Sequence, residues 1–182
     1  MKKRFVHLLL LMSFTFCQAK DHPTLLPQPQ EIRYGQSQVR ISDLSIYLPF
    51  GSSPEDQFNA NELAYFLKSR TGISIPLIPL KKGRQIIINH GNLPALPGLN
   101  ETTGPNCREA HIIKITSEGI IVNGNSSAAA YYAVQTLRQL PEGTGDEAFF
   151  PEAEISDYPA GSTSSSPIRR CSCSTLAAAP ST

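Results

Sequence analysis

Asp146 and Glu147 stand side by side after Gly145, and adjacent carboxylates are the raw material of general acid–base catalysis. A general acid working at neutral pH needs burial to raise its pKa. This pair instead follows Glu142-Gly143-Thr144, lies between Pro141 and Phe149-Phe150, and has no apolar strand leading into it. The pattern predicts a solvated loop. His22, His90 and His111 are scattered, and none forms an H-x-x-x-H pair with a carboxylate, so the ligand spacing of a zinc site is missing. His111 opens an apolar run and reads as a residue at the core's edge. Tyr131-Tyr132 suggests a platform for stacking sugars, but tandem residues on a helix point about 100° apart, which predicts packing instead. Ser162 to Ser166 lacks the G-x-S-x-G context of a nucleophile. The sequons at Asn100 and Asn125 matter only in a glycosylating host. No phosphate loop is present. No catalytic, cofactor-binding or metal-ligating residue is therefore assigned, and no cofactor is expected.

Composition narrows the function classes further. The chain has 182 residues, too few for a (β/α)₈ barrel, which needs roughly 200 or more. Hydrophobic residues make up 40% and charged residues 17%, a globular balance rather than a disordered one. Residues 20–159 hold 11 basic and 15 acidic residues, a net of about −4. The near-neutral balance of the whole chain, 16 Lys and Arg against 15 Asp and Glu, argues against a nucleic-acid or polybasic membrane surface.

The two ends differ from the body. Lys2-Lys3-Arg4 precedes a twelve-residue apolar run, Phe5 to Phe16, and Cys17-Gln18-Ala19 offers small residues before a cut at Lys20. This is the pattern of a secretory signal over residues 1–19, and it places the mature protein in the periplasm or outside the cell. A helix of that length rises about 18 Å, short of the roughly 30 Å hydrocarbon core, so no transmembrane span is expected. Lipid attachment at Cys17 is an alternative that bulky Phe16 disfavours. Residues 160–182 carry ten Ser or Thr in 23 positions and no helical or strand period, which predicts a disordered or out-of-frame tail. Cys171-x-Cys173 is one residue too tight for a zinc knuckle or a thioredoxin-like motif. Three cysteines remain after removal of the signal, and the odd number predicts no structural disulfide, a bridge from Cys107 into the tail being the alternative.

The body, residues 20–159, must supply whatever positions a site. Val39, Ile41, Leu44, Ile46 and Leu48 predict a half-buried strand over 39–48. Ser53-Pro54-Glu55-Asp56 opens a helix whose apolar face is Ala60, Leu63, Ala64 and Leu67 and which closes at Gly72. Ile73 to Leu80 is a short extended run that Pro76 and Pro79 confine to an edge. Ile86-Ile87-Ile88 predicts a strand covered on both faces. Residues 91–109 read as a long loop. Ile112–Thr116 and Ile120–Asn123 flank Ser117-Glu118-Gly119 as a β-hairpin. Asn125-Ser126-Ser127 caps a second helix ended by Pro141, and Glu152–Asp157 is a short last strand. A mixed β-sheet with two helices packed on one face, an α+β domain, is the natural assembly.

Several stretches together resemble one family. Leu26-Pro27-Gln28-Pro29-Gln30 resembles the opening of bacterial β-N-acetylhexosaminidases of glycoside hydrolase family 20. Glu109 to Leu140, EAHIIKITSEGIIVNGNSSAAAYYAVQTLRQL, resembles the end of that family's N-terminal, non-catalytic domain, and Ile155-Ser156-Asp157-Tyr158-Pro159 its link into the catalytic barrel. The likeness covers residues 26–159 and implies the zincin-like fold of the chitobiase second domain, although the H-E-x-x-H of zincins is absent. It also implies an enzyme that removes terminal N-acetylhexosamines with help from the substrate's own acetamido group, using an Asp-Glu pair in an H-x-G-G-D-E pattern. Gly145-Asp146-Glu147 lacks the upstream histidine of that pattern.

The resemblance breaks at Ala160, where the family continues with Arg, an aromatic and an Arg-Gly pair. The resemblance thus implies a frameshift or an assembly error near codon 160. The chain is therefore expected to be the truncated accessory domain of an exported hexosaminidase, inactive alone, whose normal partners are a (β/α)₈ barrel in cis and an amino-sugar glycan. Such a domain should expose an apolar docking patch. The alternative is a stand-alone extracytoplasmic module that binds glycans or proteins.

Overall fold

The computed structural model describes residues 23–91, 93, 96 and 105–159. The predictions for the signal, the tail and the residues around Asn100 lie outside these. One seven-stranded mixed sheet organises the domain, in the order β1-β7-β5-β6-β4-β2-β3. The strands are β1 (Glu31–Arg40), β2 (Ser45–Tyr47), β3 (Leu77–Ile78), β4 (Gln85–His90), β5 (His111–Thr116), β6 (Gly119–Gly124) and β7 (Phe149–Asp157). The half from β1 to β6 pairs antiparallel, whereas β6, β4, β2 and β3 run parallel. Helices α1 (Pro54–Thr71) and α3 (Ser127–Leu137) cover one face, and a short helix α2 (Pro105–Glu109) precedes β5. The expected α+β class and its helix-covered mixed sheet are present, with α2 lying in what the sequence read as loop.

Both long helices form where their caps place them. The Ser53 side chain accepts from the Asp56 amide, Pro54 occupies the first turn, and Gly72 closes α1 in the left-handed conformation at φ 84°. Ser126 caps α3 by accepting from the Ala129 amide. The α1 stripe Ala60, Leu63 and Leu67 meets Ala133, Val134 and Leu137 of α3 over Ile46, Ile86, Ile113, Ile115, Ile120, Val122, Phe150 and Ile155 of the sheet. Each fully buried Leu, Ile or Phe contributes roughly 1.5–3 kcal/mol.

Three expectations need correction. The strand expected over residues 39–48 is the end of β1 and the whole of β2, split by a 3₁₀ turn at Ile41–Asp43. The apolar positions change phase there: Val39 and Ile41 are odd, Leu44 and Ile46 even. The three-residue step matches a 3₁₀ turn closed by Leu44 N–H to the Ile41 carbonyl at 3.1 Å. The last strand begins at Phe149 rather than Glu152. Pro151 is tolerated within it because it sits opposite Gln38, where the β1 register slips. Ile86–Ile88 is covered on one face only: Ile86 is fully buried, while Ile87 is half-buried on the opposite face.

Close backbone approaches fix the seat of α3. A Cβ at Gly124, the last residue of β6, would collide with the Ala129 and Ala130 backbone. Only glycine lets the helix start press against that strand.

Candidate functional site

The residues whose types suggested chemistry are not brought together. Asp146 and Glu147 lie exposed on a 3₁₀ turn, Gly145–Glu147. His90 ends β4 and its Nε2 pairs with Asp56 Oδ1 at 3.2 Å. His111 is 3% exposed, with Nδ1 3.4 Å from the Glu109 carbonyl and Nε2 without a hydrogen-bond partner. Burial holds its pKa below the ordinary histidine value, against opposing contributions from the Glu109 carbonyl and the Asp157 charge. Asn125 is buried, donating from Nδ2 to the Cys107 carbonyl at 2.9 Å, so this sequon is closed inside the fold. Cys107 is disulfide-bonded, which corrects the expectation of no structural disulfide; the chain's other cysteines lie outside the described residues. An odd count of cysteines does not by itself exclude a disulfide. Among the described residues no three His, Cys, Asp or Glu side chains gather as a metal site. No helix among them is long and apolar enough to cross a membrane.

What the fold does assemble is an aromatic ridge on the outer side of the helices. Phe58 is 54% exposed, Tyr131 38% and Tyr132 45%. The two tyrosines splay as tandem helix residues must, but they do not pack into the core as the sequence predicted. Instead the α3 residues Ala130, Ala133, Val134 and Leu137 take the inward positions. The Tyr131 ring lies 6.2 Å from Phe58 across the two helices, tilted by 31°, and 6.0 Å edge-on from Tyr132. These separations are in the range of favourable aromatic pairs. Beside the rings a shallow hollow of about 490 Å³ opens between the N-terminal turns of α1 and α3. Arg138 braces the helix pair from behind, its guanidinium 4.4 Å from the Phe66 ring centre and 3.9 Å from Glu62. Phe58 was missed in the sequence. It stands two residues before Ala60, about 200° round the helix, so its outward direction was there to be read.

The ridge continues through Tyr132 into a groove of about 370 Å³ where the two ends of the domain meet. Leu26 is held on both sides by the Gln139 amide, its N–H donating to Oε1 at 2.8 Å and its carbonyl accepting from Nε2 at 3.0 Å. Asp157 Oδ1 accepts from the amides of Gln30 at 3.2 Å and Tyr158 at 2.9 Å. Thus Leu26–Gln30 and Ile155–Pro159, read separately in the sequence, form one seam, and Pro159 lines the groove next to the ridge. Exposed rings beside a polar, backbone-rich seam suit the burial of another protein surface.

Comparison with known proteins identifies the family and the fold. Residues 22–158 match the model of glycosyl hydrolase family 20, domain 2. No curated protein sequence matches the chain. Among solved structures, the β-N-acetylhexosaminidase of Streptomyces coelicolor A3(2) superposes with a TM-score of 0.56 at 22% identity, over 74% of this chain and 26% of its own. The Flavobacterium johnsoniae chitobiase gives 0.55 at 19% identity, over 75% and 21%. An exo β-N-acetylglucosaminidase of Vibrio harveyi gives 0.53 at 21% identity, over 76% and 19%. The chain therefore spans about a quarter or less of the length of these proteins, with which it shares a fold.

Proposed function

The chain belongs to glycosyl hydrolase family 20, whose domain 2 it contains, and from this we propose that it serves as the accessory domain of an exported β-N-acetylhexosaminidase. The observation that carries the reading is the match over residues 22–158 to a domain that fills only 19–26% of the larger enzymes sharing its fold. The docking partner is the catalytic domain of the same enzyme. Its seat is the ridge of Phe58, Tyr131 and Tyr132 together with the groove at Pro159, because the polypeptide leaves the domain beside that ridge. In this reading Asp146 and Glu147, exposed on a 3₁₀ turn, do not act as a catalytic pair. Its contribution is to support and orient the domain that cleaves terminal N-acetylhexosamines. The cationic start and apolar run of residues 1–19 direct it to the periplasm or beyond.

The test is a binding measurement between the 182-residue chain and a family-20 catalytic barrel lacking its own second domain. Binding is expected, and the triple variant F58S/Y131S/Y132S should abolish it while leaving the circular dichroism spectrum unchanged. Equal binding by wild type and variant would remove the ridge from the interface. Turnover of an aryl N-acetylglucosaminide by this chain alone would overturn the accessory reading.

A further inference from the structure

The sheet face away from the helices carries a different surface. A row of paired positions crosses it: Arg33, Glu154, Lys114, Ile121, Ile87 and Tyr47. At the hairpin end of this face a groove of about 450 Å³ is lined by Lys81, Lys82 and Lys114, with Ile87 and Ile121 among its apolar residues. None of the three ammonium groups forms an ion pair among the described residues. Arg33, Arg40, Arg84 and Arg138, by contrast, each have a carboxylate within 4.0 Å. The carboxylates near the groove are Glu118, which lines it, and Glu154, paired in register with Lys114.

The loop bearing two of these lysines is held from beneath. Gln85 is 5% exposed, its Oε1 accepting from the Lys82 amide at 3.0 Å and its Nε2 donating to the Leu80 carbonyl at 3.1 Å. Arg84 ties the same loop to Asp43 at 3.1 Å, and the Lys81 ammonium sits 5.3 Å above the Tyr47 ring. A Cβ at Gly119 would collide with the Gln85 carbonyl, so glycine lets β6 and β4 close at this end. A pre-organised backbone lowers the ordering cost of binding to the lysines it carries.

We propose that this groove binds a short anionic glycan segment, one bearing sulfate or carboxylate groups, on the side of the domain opposite the ridge. Three cations over an apolar floor match a sugar's charged substituents and its C–H face. The net charge of about −4 over residues 20–159 opposes a long uniform polyanion, so the attraction is confined to a few residues of ligand. Membership of a glycoside hydrolase family favours a saccharide over an acidic peptide. The inference does not depend on the ridge as a docking site.

The experiment titrates a heparin hexasaccharide into the isotopically labelled 182-residue chain and follows amide shifts, with chitohexaose and a poly-glutamate hexapeptide as the other ligands. Saturable shifts are expected over Lys81–Gln85 and Lys114–Ile121 and should weaken with added salt. The triple variant K81Q/K82Q/K114Q should lower affinity about tenfold or more, and K68Q/R70Q, on α1, should leave it unchanged. Shifts elsewhere, an unaffected triple variant, no shift at millimolar hexasaccharide, or equal binding of either comparison ligand would each overturn the proposal.

Discussion

One sheet carries two unlike exteriors. On the helix side, α1 and α3 turn their small and branched residues inward and leave Phe58, Tyr131 and Tyr132 outside, an apolar and nearly uncharged patch. On the open side, the same strands display Arg33, Glu154 and Lys114 in register, with three lysines at the hairpin end that form no ion pair among the described residues. The core between them explains how both are possible: each strand's alternate residues are independent of their neighbours, so one face can be chosen for packing and the other for solvent or ligands. The difference teaches where to look for partners. An aromatic ridge loses little by leaving water and suits a permanent protein contact, whereas separated ammonium groups keep their hydration and suit reversible binding.

The comparison breaks most severely if the platform beneath both faces loosens. Gly124→Ala forces a methyl into the Ala129 and Ala130 backbone, which no side-chain rotation relieves. A loss of about 3 kcal/mol is expected, at the upper end for overpacking, seen as a lower urea midpoint with an unchanged slope. Ridge and groove should then fail together. Acid acts next, through His111. Its folded pKa is held below the unfolded value by burial, so the unfolded chain takes up the proton more readily. Stability is complete above the ordinary histidine range, near about 6.5, and falls as pH drops from there toward the lowered folded value. The slope is at most about 1.4 kcal/mol per pH unit. Urea midpoints measured between pH 7.5 and 5 should decline for wild type and flatten for His111→Gln; parallel curves would discount the histidine.

Much of the fold was legible because local chemistry dictated it. Ser53-Pro54, Gly72 and Ser126 place the helix ends by capping alone, and Ser117-Glu118-Gly119 forces the hairpin. Sheet order was not legible, because β1 and β2 are consecutive in the chain yet separated by four strands. The phase change from Ile41 to Leu44 marks the turn at Ile41–Asp43, but apolar residues on both sides of it read as a single strand. The site was legible only in fragments. The proline-rich opening and the Ile155–Pro159 link each carried a family likeness, but nothing local says that Gln139 joins the first to the helix that ends beside the second. Tyr131-Tyr132 was visible and assigned to packing, because a helix wheel shows direction but not which directions the rest of the protein will cover.

The smallest change in stability gives the sharpest test of the two exteriors. Removing Ser53's cap with Ser53→Ala should cost about 1 kcal/mol by orphaning the Asp56 amide, enough to show that α1 is anchored at the end from which Phe58 projects. Phe58→Ser and Tyr131→Ser, by contrast, delete surface that the isolated domain does not use. Each should shift stability by no more than about 0.5 kcal/mol, apart from a small loss of the Phe58–Tyr131 pairing. Combined in one double variant, F58S/Y131S, they should sharply lower binding of a hydrophobic dye to the chain. Replacing Lys81, Lys82 and Lys114 should leave dye binding where it was. If stability collapsed on removing the ridge, its rings would belong to the core and not to a docking surface. If dye binding fell on removing the lysines, the two faces would not be independent, and the assignment of separate partners to them would fail.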